Sequence, residues 1–88
     1  MIKGKTQTGF EYELNEKVLN NYELVENIAE IEENPLAITT IVKQLLGKDG
    51  TKRLKEHIRD ENGIVTTDKM MKEIVDIFQN SGKETKNS

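Results

Sequence analysis

The first fourteen residues, "MIKGKTQTGFEYEL", sort cleanly under a single antiparallel pairing, and that pairing constrains everything after it. "IKGKT" and "FEYEL" flank "QTG", a three-residue connection ending in the Gly that such loops favour. Pairing Thr6 with Phe10, Gly4 with Tyr12 and Ile2 with Leu14 places the large apolar residues on one face, because side chains alternate along a strand. The other face then sets Lys5 across from Glu11 and Lys3 across from Glu13, pairs that add about 0.2 to 1 kcal/mol each. Gly4 leaves room for the Tyr12 ring. A lone hairpin is marginal in water, so the Phe10, Tyr12 and Leu14 face predicts helices packed against it.

The period changes at Asn15. After a short "NEKVLN" connector, Asn20 or Asn21 caps a helix with Leu24, Val25, Ile28 and Ile31 on one broad face. "ENP" punctuates next, with Asn34 as N-cap and Pro35 at the first helical position, whose N–H lacks an intrahelical partner anyway. In the helix that follows, Ile38, Ile41, Val42, Leu45 and Leu46 repeat at i, i+3, i+4, i+7 and i+8, and Gly47 is placed to stop it. A third, short helix is predicted around Thr51 to Arg59, with Leu54, His57 and Ile58 on one side. "DENG" makes a turn, Ile64 and Val65 run extended, and Thr67 or Asp68 caps a last helix carrying Met71, Ile74, Val75 and Phe78. Gly82 is placed to end it. The expected architecture is mainly α with a small β element (α+β): one folded domain over 1–82, with the hairpin in 1–14 and the helical part in 20–80, then a flexible polar tail over 83–88.

Eighty-eight residues make one domain, and a chain this short buries only about 60% of the surface its unfolded form exposes, which argues against a deep catalytic cleft. Charged residues are 33% of the chain, yet the 34% that are hydrophobic are patterned, so the chain is expected to fold. There is no cysteine, hence no disulfide and no thiolate metal site. No apolar run approaches the roughly 20 residues of a membrane span, and a soluble intracellular protein is expected. The net charge of −3 is unevenly spread. Residues 10–34 hold eight Glu against one Lys, whereas residues 35–59 hold six Lys or Arg against two acids. Such segments pair internally, stay solvated, or present complementary surfaces to other copies. For the last case the charge groups are Glu30, Glu32 and Glu33 against Lys52, Arg53 and Lys55, giving a weak homo-oligomer.

Motifs with chemistry are few. Asp60, Glu61, Asn62 and Gly63 evoke a calcium loop, but aligning Gly63 with its sixth position puts Ile58 and Lys69 where carboxylates are required. His57 is the sole histidine and sits beside Leu54 and Ile58, which reads as helix packing with one wet edge rather than acid–base chemistry. The run "KRLKEHIR" invites a nucleic-acid reading through Lys52, Arg53, Lys55 and Arg59, yet no aromatics interleave for base stacking and the chain is acidic. No catalytic residue, metal ligand or cofactor is expected. "MMKEIVDIF" carries more apolar groups than one packing surface needs, and Met and Phe suit a helix-binding surface.

Taken in order, "FEYELNEKVLNNYELVENIAEIEENPLA", "VKQLLG", "LKEHIRDENGIV" and "GKETKNS" resemble the small tail assembly chaperones of long-tailed bacteriophages and prophages of Gram-positive bacteria. The likeness covers nearly the whole chain and rests on order and composition. It implies a non-enzymatic protein of the host bacterial cytoplasm, absent from the mature virion. Such a protein binds the helical tape measure protein, keeps it soluble and helps recruit tail tube protein. It also implies a longer, frameshifted form, for which "SGKETKNS" is a suitable linker. The expected client surface is an apolar groove lined by Leu45, Met70, Met71, Ile77 and Phe78. The alternative is a small regulatory or adaptor module that binds DNA through its basic helix.

Overall fold

In a computed structural model of the chain, backbone is described for residues 1–87 and side chains for residues 1–81; the last helix, Thr67–Asn87, passes Gly82, which therefore does not end it, and the side chains of the polar tail expected over 83–88 lie outside the described residues. Strands β1 (Ile2–Lys5) and β2 (Glu11–Leu14) form the antiparallel hairpin in the register read from the sequence, Ile2 facing Leu14, Gly4 facing Tyr12 and Lys5 facing Glu11. Lys3 and Glu13 form an ion pair at 3.3 Å on the solvent face. The Thr6 N–H donates to the Phe10 carbonyl at 2.9 Å and closes the ladder. Phe10, Tyr12 and Leu14 are buried, as the alternation requires.

Four helices follow: α1 (Glu16–Leu19), α2 (Tyr22–Ala29), α3 (Ala37–Ile58) and α4 (Thr67–Asn87), giving a mainly α, α+β fold. The connector expected at 15–20 is itself helical in α1, because Asn15 Oδ1 accepts from the Lys17 N–H at 2.9 Å and half-buried Val18 and Leu19 rest on the core. Asn21, one of the two expected caps, starts α2 by accepting from the Glu23 N–H at 3.0 Å. α2 buries Leu24 and half-buries Ile28 but turns Val25 outward, and Ile31 packs against the core from beyond its end.

One expectation about α3 is corrected and another is met. No side chain caps it: the turn from Asn34 onward runs through i to i+3 backbone bonds, with Ala37 N–H donating to Asn34 O at 2.9 Å. Gly47 does separate two helical stretches, as the sequence predicts, and α3 joins them across a kink at that residue. Gly47 adopts φ 73 and ψ −178, a conformation that L side chains disfavour, and the chain resumes its helix at once. A kink releases carbonyls from the helical ladder. Thr51 takes them up, its Oγ1 donating to Gly47 O at 2.6 Å and approaching Val42 O at 3.4 Å. "DENG" is a turn in which Asp60 Oδ1 accepts from the Asn62 and Ile64 N–H groups, each at 2.9 Å. The cap of α4 is Thr66, whose Oγ1 accepts from the Lys69 N–H at 3.3 Å, rather than Thr67 or Asp68.

α4 is also rotated from its expected setting. Met70, Glu73, Ile74, Ile77 and Ser81 face inward, Met71 and Phe78 are half-buried, and Val75 is exposed. On so apolar a helix two neighbouring stripes satisfy the same spacing, and contact with the hairpin selects between them.

The hairpin's tightest point is Gly4 beneath Tyr12: a Cβ on Gly4 would overlap the Tyr12 hydroxyl and ring. The Tyr12 hydroxyl is buried with no hydrogen-bond partner. Gly4→Ala should therefore destabilise by about 1–3 kcal/mol through overpacking. Tyr12→Phe should hold or raise stability, by up to about 1 kcal/mol, because it removes an unsatisfied buried group. In the Tyr12→Phe background the Gly4→Ala cost should shrink, which a double-mutant cycle of urea midpoints would measure.

Candidate protein-binding groove

The hairpin's turn is tied to α4 by two carboxylates, those of Glu73 and Asp76. Glu73, only 4% exposed, accepts from Thr6 Oγ1 through Oε1 at 2.9 Å and from Thr8 Oγ1 at 2.9 Å to each oxygen. Burying a carboxylate is costly unless it is hydrogen-bonded, and the two hydroxyls meet that requirement. Thr6 gives its proton to Glu73 and accepts from the Phe10 N–H at 3.1 Å. Thr8 likewise gives its one proton to Glu73, so its oxygen is left to accept from His57 Nε2 at 3.1 Å. The His57 ring, exposed rather than packed in a helix interface, lies 5.5 Å from Phe10. Asp76 Oδ2 accepts from the Gln7 N–H at 2.7 Å, a second tie between the same turn and α4.

With α4 held this way, its first turn and the extended segment before it stand beside α3 and leave an open groove of about 490 Å³. Its floor is apolar: Ile38 and Val42 from α3, Val65 from the connecting segment and Met70 from α4. Thr39, Thr51, Thr66 and Thr67 add hydroxyls, and Lys43, Lys55 and Arg59 form a cationic rim. A second hollow along the same side of α3 adds Lys48 and Lys52, with Asp49 and Glu56 as its acids. Arg59 is occupied within the fold, 3.1 Å from Glu56 Oε1 and 2.8 Å from Gly63 O. Among the described residues no carboxylate lies within ion-pair distance of Lys43, Lys48, Lys52 or Lys55. The groove offers an apolar strip to a partner and a positive edge to acidic groups flanking that strip.

The five residues expected to line a client groove do not converge. Leu45 is 2% exposed and Ile77 fully buried, both consumed by the core. Met70 is buried and reaches the groove floor. Met71 lines a different hollow beside Gln7, Thr8 and Asp76, and Phe78 rests half-buried on the core. Of the charge groups, Glu30, Glu32 and Glu33 are exposed around the end of α2, and Lys52 and Lys55 are exposed along the groove. Arg53 is engaged elsewhere: its guanidinium lies 5.3 Å above Phe10 and donates to Glu11 O at 2.9 Å. Two of the four cations of the DNA-binding alternative, Arg53 and Arg59, thus serve the fold. Among the described residues there is no cluster of three or more His, Asp or Glu able to hold a metal ion, and no helix is long and apolar enough to cross a membrane.

Sequence reading missed Glu73 and placed the groove one stripe away. The signal for Glu73 was present: the hairpin register puts Thr6 on the inner face, and a polar group there demands a partner. Comparison with known proteins finds no matching family model, no matching curated protein and no matching solved structure.

Removing the carboxylate leaves two hydroxyls without their acceptor. Glu73→Ala should destabilise by about 2–3 kcal/mol, and Thr8→Ala by about 1 kcal/mol. A thermal melt reads this directly, since about 1 kcal/mol shifts the midpoint of a domain this size by roughly 4–8 °C. The two losses should be non-additive, because either substitution breaks the same bond.

Proposed function

We propose that this protein is a helix-binding chaperone whose client lies in the groove between α3 and the start of α4. The single observation that carries the proposal is the groove's composition, an apolar floor of Ile38, Val42, Val65 and Met70 beside lysines that no described carboxylate neutralises. An amphipathic helix lays its apolar face into such a groove, and acidic residues flanking that face meet the rim. The resemblance of the chain's order of parts to phage tail assembly chaperones supplies the client: the tape measure protein, a long helical polymer whose apolar stripes need cover before the tail tube surrounds them. On this reading the chaperone acts in the bacterial cytoplasm and is released before the virion is complete. Recruitment of tail tube protein belongs to a longer form extended through residues 83–88. Nothing in this role calls for catalysis, a metal or a cofactor.

Co-expression with a tape measure protein from a long-tailed phage of a Gram-positive bacterium, followed by affinity capture, tests the assignment. Lys43→Glu with Lys55→Glu, and separately Val65→Glu, should reduce capture about tenfold while the far-ultraviolet circular dichroism stays native. Met71→Lys should leave capture unchanged, because Met71 lines a different hollow. Undiminished capture by the folded groove variants would overturn the groove as the client site.

A further inference from the structure

We propose that the same groove also receives α2 of a second copy of this chain, so that copies join head to tail. α2 commits one face to its own molecule: Leu24 is fully buried, Ile28 packs on the core, and Asn27 Nδ2 donates to Gln44 Oε1 at 3.2 Å. Its outward stripe is apolar as well, with Tyr22, Val25 and Ala29 at i, i+3 and i+7. Tyr22 is 74% exposed and Val25 44%, an unusual pair to leave in water on one short helix. Glu23, Glu26 and Glu30 are exposed along one flank of that stripe, 100° spacing placing them side by side. α2 therefore presents an apolar strip beside a row of carboxylates, and the groove presents an apolar strip beside Lys43 and Lys55. The two surfaces are complementary in both respects.

They cannot meet within one molecule. α2 holds its inner face against α3, so the outer stripe points away from the groove that its own α3 helps to form. The contact must be made by another copy, and it joins two different patches, which makes it heterologous; repetition yields a ring or an open filament. The charges steer and align the copies, while the apolar strips supply the attraction that screened surface ion pairs lack. This inference does not depend on the client reading. If both hold, α2 of a neighbour covers the groove until an amphipathic client displaces it.

Sedimentation of the full chain over a concentration and salt series tests the contact. The wild type should associate reversibly at low salt and dissociate as salt rises. Lys43→Glu with Lys55→Glu, or Glu23→Lys with Glu26→Lys, should each weaken association about tenfold, and all four reversals in one chain should restore it. All four positions are exposed, so circular dichroism should remain native. Because the chain has no cysteine, Val25→Cys in one copy and Thr39→Cys in another can be joined by a short bismaleimide. The mixture should give a covalent dimer that a Val25→Cys and Asn62→Cys mixture does not. A wild type that stays monomeric at high concentration and low salt, association indifferent to the reversals, or equal cross-linking at Thr39 and Asn62 would overturn the proposal.

Discussion

The carboxylate of Glu73 between Thr6 and Thr8 is the contact on which the arrangement of this small protein turns. A two-stranded hairpin has no stability of its own in water, and this one is fastened at its turn to the last helix. The consequences run in both directions. The hairpin's Phe10, Tyr12 and Leu14 join the core, β2 packs on α3 and β1 on α4, and α4 is fixed about its own axis. With Glu73 facing the turn, Met70, Ile74 and Ile77 face the core, Met71 rests half-buried at its edge and Val75 turns outward. Met70 and the preceding Val65 are thereby placed along the floor of the groove. The site proposed for partners is a by-product of how the hairpin is anchored.

A second device shapes the opposite wall. α3 bends at Gly47 and continues, and Thr51 satisfies the carbonyl that the bend exposes. The two halves of α3 then contribute different things to one groove. Ile38, Thr39, Val42 and Lys43 come from before the bend, and Thr51, Lys55 and Arg59 from after it. A straight helix in that position would carry its lysines around its circumference; the bend lets residues twelve positions apart, Lys43 and Lys55, border the same space.

Where local chemistry decides, the structure was legible in the sequence. The hairpin register follows from alternation, loop length and one glycine: the four pairs from Ile2–Leu14 to Lys5–Glu11 are present, and Thr6 is hydrogen-bonded to Phe10 beyond them. Asn21 as a cap and the Asp60 turn follow from side-chain hydrogen bonding to nearby backbone. The failures arise where the deciding partner is distant. α4 carries apolar residues on neighbouring stripes, and only its contact with a turn 65 or more residues earlier chooses between them. Leu45 and Ile77 looked available for a client because their packing partners lie on other elements. The interruption at Gly47, by contrast, was legible: two helical stretches meet there across a kink, and Thr51 reaches back to the Gly47 carbonyl.

The proposed function rests on recognition in the groove between α3 and the start of α4. Titrating the uniformly ¹⁵N-labelled full chain with a synthetic amphipathic helix, bearing one apolar stripe flanked by glutamates, tests this residue by residue in amide spectra. Binding in this groove should give saturable shift changes concentrated at Thr39, Lys43, Thr51, Lys55, Val65 and Thr66, weakening as salt rises. Changes centred on Met71, Val75 and Gln79, or no saturable change at low salt, would contradict it.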